Sequence, residues 1–430
     1  MKELFASRYE SARSLNHLRE VVVRQGELEI QARLYNGEYG TKWKTTDGEA
    51  FEILHFGEWN REAGPDFKGS VVHFENGGEK TGDIEVDREG RDWERHGHAL
   101  NASFSDVVLH FFIEGSREQA FARTLEHRAV PQAHLVVGGT AEPHGSDLAE
   151  HTSMEDAVRM IAEAAEFRLR NKHANHARAI SLHGADAAMF HAIASGLGYK
   201  NNAIPFLLAA QRAELSRAGG VSGEALLFGL AGFLEPRSFD DADDVTRRYL
   251  KPLWDEWWTI RDAMTRIVLG PKMWKLSGIR PSNHPHRRLG ALAAVATNFG
   301  VLRKASLEGG AKGFRSFMEN VDHPYWRRHW NLRAAELSKP VALIGGDRIT
   351  DLLINAFLPS QPLDIARAGL EGLRGPNPSG RLLRASNWLV GRVEPKLMRT
   401  AKDQQGLLQL YTDFSALSAA EAASKILGGD

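Results

Sequence analysis

The stretch PDFKGSVVHFENGGEKTGDIEVD, residues 65–87, decides how the first third of the chain is read. Two runs that alternate apolar and polar residues flank NGGEKTG, residues 76–82, and Asn and Gly accept the backbone angles of a tight turn. The stretch therefore reads as a β-hairpin. Asp66 opens its first strand and Glu85 lies in its second, so in-register pairing brings the two carboxylates close together. Asp87 stands two residues beyond Glu85, and residues two apart on a strand project to the same face. Three carboxylates then gather at one place. Magnesium and manganese take oxygen ligands, usually one or two carboxylates completed by water. A bound divalent cation offsets the charge by which a phosphodiester resists attack and can generate hydroxide near neutral pH. The hairpin is thus a candidate metal site.

Around it, residues 20–137 favour strands: EVVVRQGELEIQARLY, AFEILHFGEW, KGSVVHFEN, TGDIEVD, SDVVLHFFIEG and TLEHRAVPQAHLVV. RDWERHGHAL, residues 91–100, interrupts the series as a short helix, so the local order is strand, strand, strand, helix, strand. GGTAEPHGSDLAEHT, residues 138–152, is rich in small and turn-forming residues and reads as a linker. Thr152 with Glu155 fits a capping box, and Val158, Ile161, Ala162, Ala165 and Leu169 form one helical stripe. Helical periodicity continues to the end, as in RRLGALAAVATNFG, where Leu289, Leu292, Ala293 and Ala296 share a face. No fixed internal period argues for a regular solenoid. The expectation is an α+β protein: a sheet domain over residues 1–137, the linker 138–152, and an all-helical domain over 153–430.

At 430 residues the chain has room for two or three domains. It contains no cysteine, which removes disulfides, thiolate zinc sites and cysteine nucleophiles together. A metal would be held by oxygen or imidazole. The net charge of −1 hides an asymmetry: residues 1–150 carry 17 Lys and Arg against 27 Asp and Glu, and the remainder 37 against 28. Such a split suggests regions with different partners. No window approaches the roughly 18 consecutive apolar residues of a membrane span, and MKELFASRYESARS is too polar for a secretory segment. The expected location is the cytoplasm, with no membrane partner.

The order of elements together with Pro65-Asp66 and Glu85 resembles the PD-(D/E)XK restriction-endonuclease-like superfamily, whose core runs α-β-β-β-α-β. The departure is Asp87, which stands where that pattern has lysine. The resemblance implies that Asp66 and Glu85 ligate Mg²⁺ or Mn²⁺, with the Ile84 or Val86 carbonyl as a further ligand, and that the chain hydrolyses nucleic-acid phosphodiesters. Asp87 would be a third ligand or a water-orienting base. Residues 47–115 are also similar to a bacterial family known as a domain of unknown function. The shared features are Gly57, Asn60, Ala63 to Phe67, Gly82, Glu85, Trp93, His96 to His98, Leu109 and His110. Members of that family often have histidine at the position of Asp87.

His96 and His98 would diverge on a regular helix, since residues two apart point in different directions. Gly97 permits an irregular backbone, and one of the two histidines is expected beside Glu85 as a proton carrier, imidazole titrating near neutrality. His110, in an apolar strand, reads as a core residue. Asn60 reads as a turn residue. The helical part gathers Arg168, Arg170 and Lys172, then Arg287 and Arg288, then Arg327 and Arg328 between Trp326 and Trp330. Cations neutralise phosphates and exposed aromatics stack on unpaired bases, so these are the expected nucleic-acid contacts. The other reading of the same residues is ordinary solvated surface and core, and Trp254, Trp257 and Trp258 follow core-like helical spacing. The function expected is divalent-metal-dependent nuclease activity; its alternative is a non-catalytic nucleic-acid-binding or scaffold protein that kept the fold.

Overall fold

The structure is a computed structural model. It describes residues 27–35, 37–60, 64–114, 122–135, 152–240 and 242–415. A mixed sheet in the N-terminal part is followed by a helical region. The described residues divide into two compact units, one made of those within 27–135 and 177–345 and the other of those within 152–176 and 346–415. The helical residues 177–345 cluster with the sheet in the first of these units. The expected linker itself lies outside the described residues except for Thr152.

In the first unit the strands are β1 (Lys42–Lys44), β2 (Ala50–His55), β3 (Glu58–Trp59), β4 (Phe67–Phe74), β5 (Gly78–Glu89), β6 (Val107–Glu114), β7 (Ala122–Arg123), β8 (Ala129–Val130) and β9 (Gln132–His134). Seven of them form one sheet in the order β1-β2-β4-β5-β6-β9, with β3 paired to β4. The hairpin read from residues 65–87 is present as the antiparallel pair β4 and β5, with Phe67 opposite Ile84 and Phe74 opposite Gly78. β5, β6 and β9 run parallel. A parallel neighbour cannot be reached by a tight turn, so residues 90–106 cross over from the end of β5 to the start of β6.

Alternation along the strands separates two environments. Phe67, Val72, Ile84, Val86, Leu109 and Phe111 face one core, with Ile30, Leu34 and Leu182. Glu85, Asp87 and His110 take the opposite face, on the side of a smaller apolar cluster of Trp93, Phe104, Val107, Ala122 and Val130.

Residues 27–35, expected as strand, are the helix α1 (Glu27–Tyr35). Ile30 and Leu34 share its buried face, and Glu29 bonds Arg33 one turn on at 2.8 Å. Glu, Leu, Gln, Ala and Arg are strong helix formers, and they outweigh an apparent alternation. The crossover carries α2 (Asp92–Arg95). Next come α3 (Met154–His183) and α4 (Ala185–Ala213), the latter broken at Tyr199 and Asn202. The cap of α3 is Ser153, whose hydroxyl accepts from the Asp156 amide at 3.1 Å, one residue past the box expected at Thr152. Its stripe is rotated accordingly: Ala157, Met160, Ile161 and Ala164 are buried and Val158 is exposed.

The second unit has its own core, in which Met160 and Ile161 pack with Leu382, Leu389, Leu407 and Leu410. Gly406 is required there, since a Cβ would stand 2.0 Å from the Ile161 carbonyl oxygen. Among the described residues no helix is long and apolar enough to cross a membrane.

Candidate metal centre

The centre is built at the end of β5. Glu85 and Asp87 project from it on one face, both buried, at 7% and 2% exposure. Parallel pairing sets His110 of β6 beside Glu85. The crossover then returns two imidazoles to the same place. α2 starts where Asp92 accepts the Glu89 amide at 2.9 Å, and it is anchored by Trp93, fully buried, whose indole donates to the Arg123 carbonyl at 2.9 Å. The helix stops at His96, and Gly97 takes φ 75°, ψ 22° before a single turn of 3-10 helix over His98–Leu100. This left-handed residue lets His96 and His98 converge where a regular helix would separate them.

Asp87 is the hub. His96 Nδ1 lies 3.0 Å from its Oδ1, while His98 Nε2 and His110 Nε2 lie 3.6 and 3.2 Å from its Oδ2. The ligand atoms of Asp87, His96 and His98 all fall within 4.8 Å of one another, a group able to hold a metal ion. Asp87 Oδ2, His98 Nε2 and His110 Nε2 are all buried, and both ring nitrogens face the carboxylate oxygen. Burial alone would raise the Asp87 carboxyl, but the hydrogen bonds offered by His110 and then His98 outweigh it and hold it below the ordinary carboxylate range.

Glu85 adjoins this group without belonging to it. Its Oε1 is 3.4 Å from His98 Nε2, and its Oε2 accepts from the Asp66 amide at 3.1 Å. Asp66 turns its own Oδ2 to the Val86 amide at 2.9 Å, so this carboxylate holds the backbone of β5. Asp66 and Glu85 are thus brought together as expected, and the group whose ligand atoms converge joins Asp87 to His96 and His98. Imidazole with carboxylate suits zinc, iron, nickel or manganese better than magnesium, which prefers oxygen.

The residue that sequence reading left in the core is His110. It is fully buried, but its ring spans from Asp87 to Gln132, whose Nε2 lies 2.8 Å from His110 Nδ1. A polar pair in the middle of two apolar parallel strands was the available signal. His98 is seated by its ring on Phe104, with centroids 4.0 Å apart.

The basic residues expected to hold nucleic acid are engaged within the chain. Arg287 is fully buried and its guanidinium donates to the carbonyls of Trp326, His329, Val341 and Ala342. Arg288 is buried against the Leu343 carbonyl and Asn283. These two are structural bolts, not surface cations. Arg168 binds Gln405 and Gln409, Arg170 pairs with Glu166, and Lys172 donates to Asn355 and Gln405. Arg327 pairs with Asp322 and Arg328 with Glu336. Trp326 is buried and Trp330 half-buried beneath the Arg287 guanidinium. Trp257 is core, whereas Trp258 is exposed with Arg261 over its ring at 3.5 Å.

A mixed sheet with a crossover that returns a His-Gly-His turn to a buried aspartate defines a protein with a candidate metal centre. Residues 38–369 match the family described as protein of unknown function (DUF2851), and the chain belongs to that family. Neither a curated protein nor a solved structure gives a match.

Proposed function

We propose that this chain is a divalent-metal-dependent hydrolase acting on nucleic-acid phosphodiester bonds, with manganese or zinc held by Asp87, His96 and His98. The observation that carries the proposal is the convergence of those three ligand atoms within 4.8 Å at the end of β5, with Asp87 buried and His96 open to solvent. When bound, the cation supplies charge to offset the phosphate and acidity to a water. Glu85, 3.4 Å from His98 Nε2, would serve as the general base beside such a cation, and the Asp66 backbone amide holds its other oxygen. His110 holds the Asp87 carboxylate from behind.

Nucleic acid as the substrate draws its support from the order α1-β2-β4-β5-α2-β6, which is similar to that of the restriction-endonuclease-like core once the short strands β1 and β3 are set aside. The donor set departs from that core in having imidazoles and no lysine. The seven helical cations add little, since each is engaged inside its own unit. The test is calorimetric titration of the metal-stripped chain with Mn²⁺ and Zn²⁺, beside cleavage of labelled single- and double-stranded DNA and RNA. Glu85→Gln is expected to keep the metal and lose cleavage. A wild-type chain that binds neither metal sinks the proposal, and metal binding without any cleavage leaves the binding-protein reading in its place.

A further inference from the structure

A cleft of about 600 Å³ opens beside β3 and the C-terminal end of α4. Its size falls among small-ligand sites, which run from about 300 to 1,000 Å³. One wall is aromatic and cationic: the Arg212 guanidinium lies over the half-buried Trp59 ring, 5.7 Å from its centroid. Arg212 is only 8% exposed and is held by the Ile267 carbonyl. Lys68, exposed on β4, lines the same space. Two carboxylates, Glu58 and Glu214, also line it, but both are exposed, so water and salt screen their repulsion of an anion.

The cleft is held in shape at two points. Gly57 has φ 69°, and a Cβ there would stand 2.0 Å from the Lys68 carbonyl oxygen, so the turn before Trp59 is pressed onto β4. Glu214 ends α4 at φ 57°, ψ 137°, an unfavourable conformation for a side-chain-bearing residue and one that recurs at ligand clamps. The cleft is also tied to the metal centre. Asn60, in its lining, donates its amide to the Asp66 carbonyl at 2.7 Å, and the Asp66 amide reaches Glu85 at 3.1 Å.

We propose that this cleft binds one nucleotide of a nucleic-acid strand, with the base packed at the Trp59 wall and a phosphate held by Lys68. Aromatic rings and guanidinium planes are the groups on which unpaired bases stack, and Lys and Arg neutralise phosphates. The inference rests on the phosphodiesterase reading of the neighbouring centre and gives that reading a place for the strand. It also accounts for Gly57, Asn60 and Lys68, which the metal centre leaves unused.

The test is titration of the metal-stripped full chain with adenosine 5′-monophosphate, with adenosine and inorganic phosphate as separate arms. The nucleotide is expected to bind more tightly than either part. Lys68→Ala, at an exposed position, and Trp59→Leu are each expected to weaken it by about tenfold, the order of one lost stacking or phosphate contact. Mn²⁺ affinity, titrated in the same variants, is expected to stay at the wild-type value. Phosphate binding as tightly as the nucleotide, no nucleotide binding, or a Lys68→Ala variant that binds like wild type overturns the inference. Loss of the metal reading appears separately, as absent Mn²⁺ binding in the wild-type chain.

Discussion

Gln132 Nε2 lies 2.8 Å from His110 Nδ1, on the side of the imidazole opposite Asp87, whose Oδ2 is 3.2 Å from Nε2. The parallel register of β6 and β9 sets the two residues side by side. With the amide donating to Nδ1, the His110 proton sits on Nε2 and points at Asp87, so a glutamine on β9 determines how the carboxylate at the hub is presented.

Gln132→Leu is therefore expected to weaken Mn²⁺ binding by about 10- to 100-fold, the range seen when a partner behind a ligand is removed. Thermal melts of the same variant should show only the loss of one buried hydrogen bond, about 1 kcal/mol. Unchanged affinity in a folded variant would show that His110 does not orient Asp87.

Asp66 and His98 are expected to separate stability from metal binding. Asp66→Asn removes the charge from the bond to the Val86 amide and should cost about 1 to 2 kcal/mol in denaturant unfolding. Its Mn²⁺ affinity should stay close to wild type, whereas His98→Ala should lose most of it. Equal losses in both variants would return Asp66 to the ligand set.

Acid should destabilise the chain through two buried histidines outside the centre. Burial pushes His191 down to about 3 and His183 to about 4, and their rings lie 5.5 Å apart. The unfolded chain binds these protons near pH 6.5. The stability they contribute is present above that pH and is lost as pH falls through the folded values. Each proton adds up to about 1.4 kcal/mol per pH unit to the slope. Urea unfolding between pH 7 and about 4.5 should steepen accordingly, and His191→Phe should flatten it. An unaltered slope would remove His191 from the account.

Gly290 and Trp326 test the packing of the helix Pro285–Thr297. A Cβ on Gly290 would stand 2.0 Å from the Trp326 ring, and that ring is fully buried beneath a carbonyl fixed by Arg287. Gly290→Ala is expected to cost about 1 to 3 kcal/mol, the range for an overfilled core. A thermal melt decides it, and a neutral variant would mean that the tryptophan moves aside freely.

The hairpin was legible because its signals are local: alternation sets the faces, Asn and Gly set the turn, and the two-residue spacing of Glu85 and Asp87 sets their common side. What was lost depends on partners far along the chain. His110 looks like core until β9, 22 residues on, supplies Gln132. Arg287 and Arg288 sit in a run that reads as basic surface, and only the carbonyls of residues 326–343 bury them. The segment ELEIQARLY carries both periods at once, since residues 30 and 34 lie on one side of either a helix or a strand. Its one-turn ion pair then decides for the helix.

The turn at Gly97 makes the metal centre a question of handedness. A Cβ at this position would meet nothing within 4 Å, so room is not what forbids a side chain. The obstacle is the sign of φ, which an L-residue adopts at a cost of about 1 to 2 kcal/mol and a D-residue adopts by preference. A chain made by ligation with D-alanine at position 97 should keep His96 and His98 on Asp87, while its L-alanine mirror should pull them apart, with the same atoms present in both.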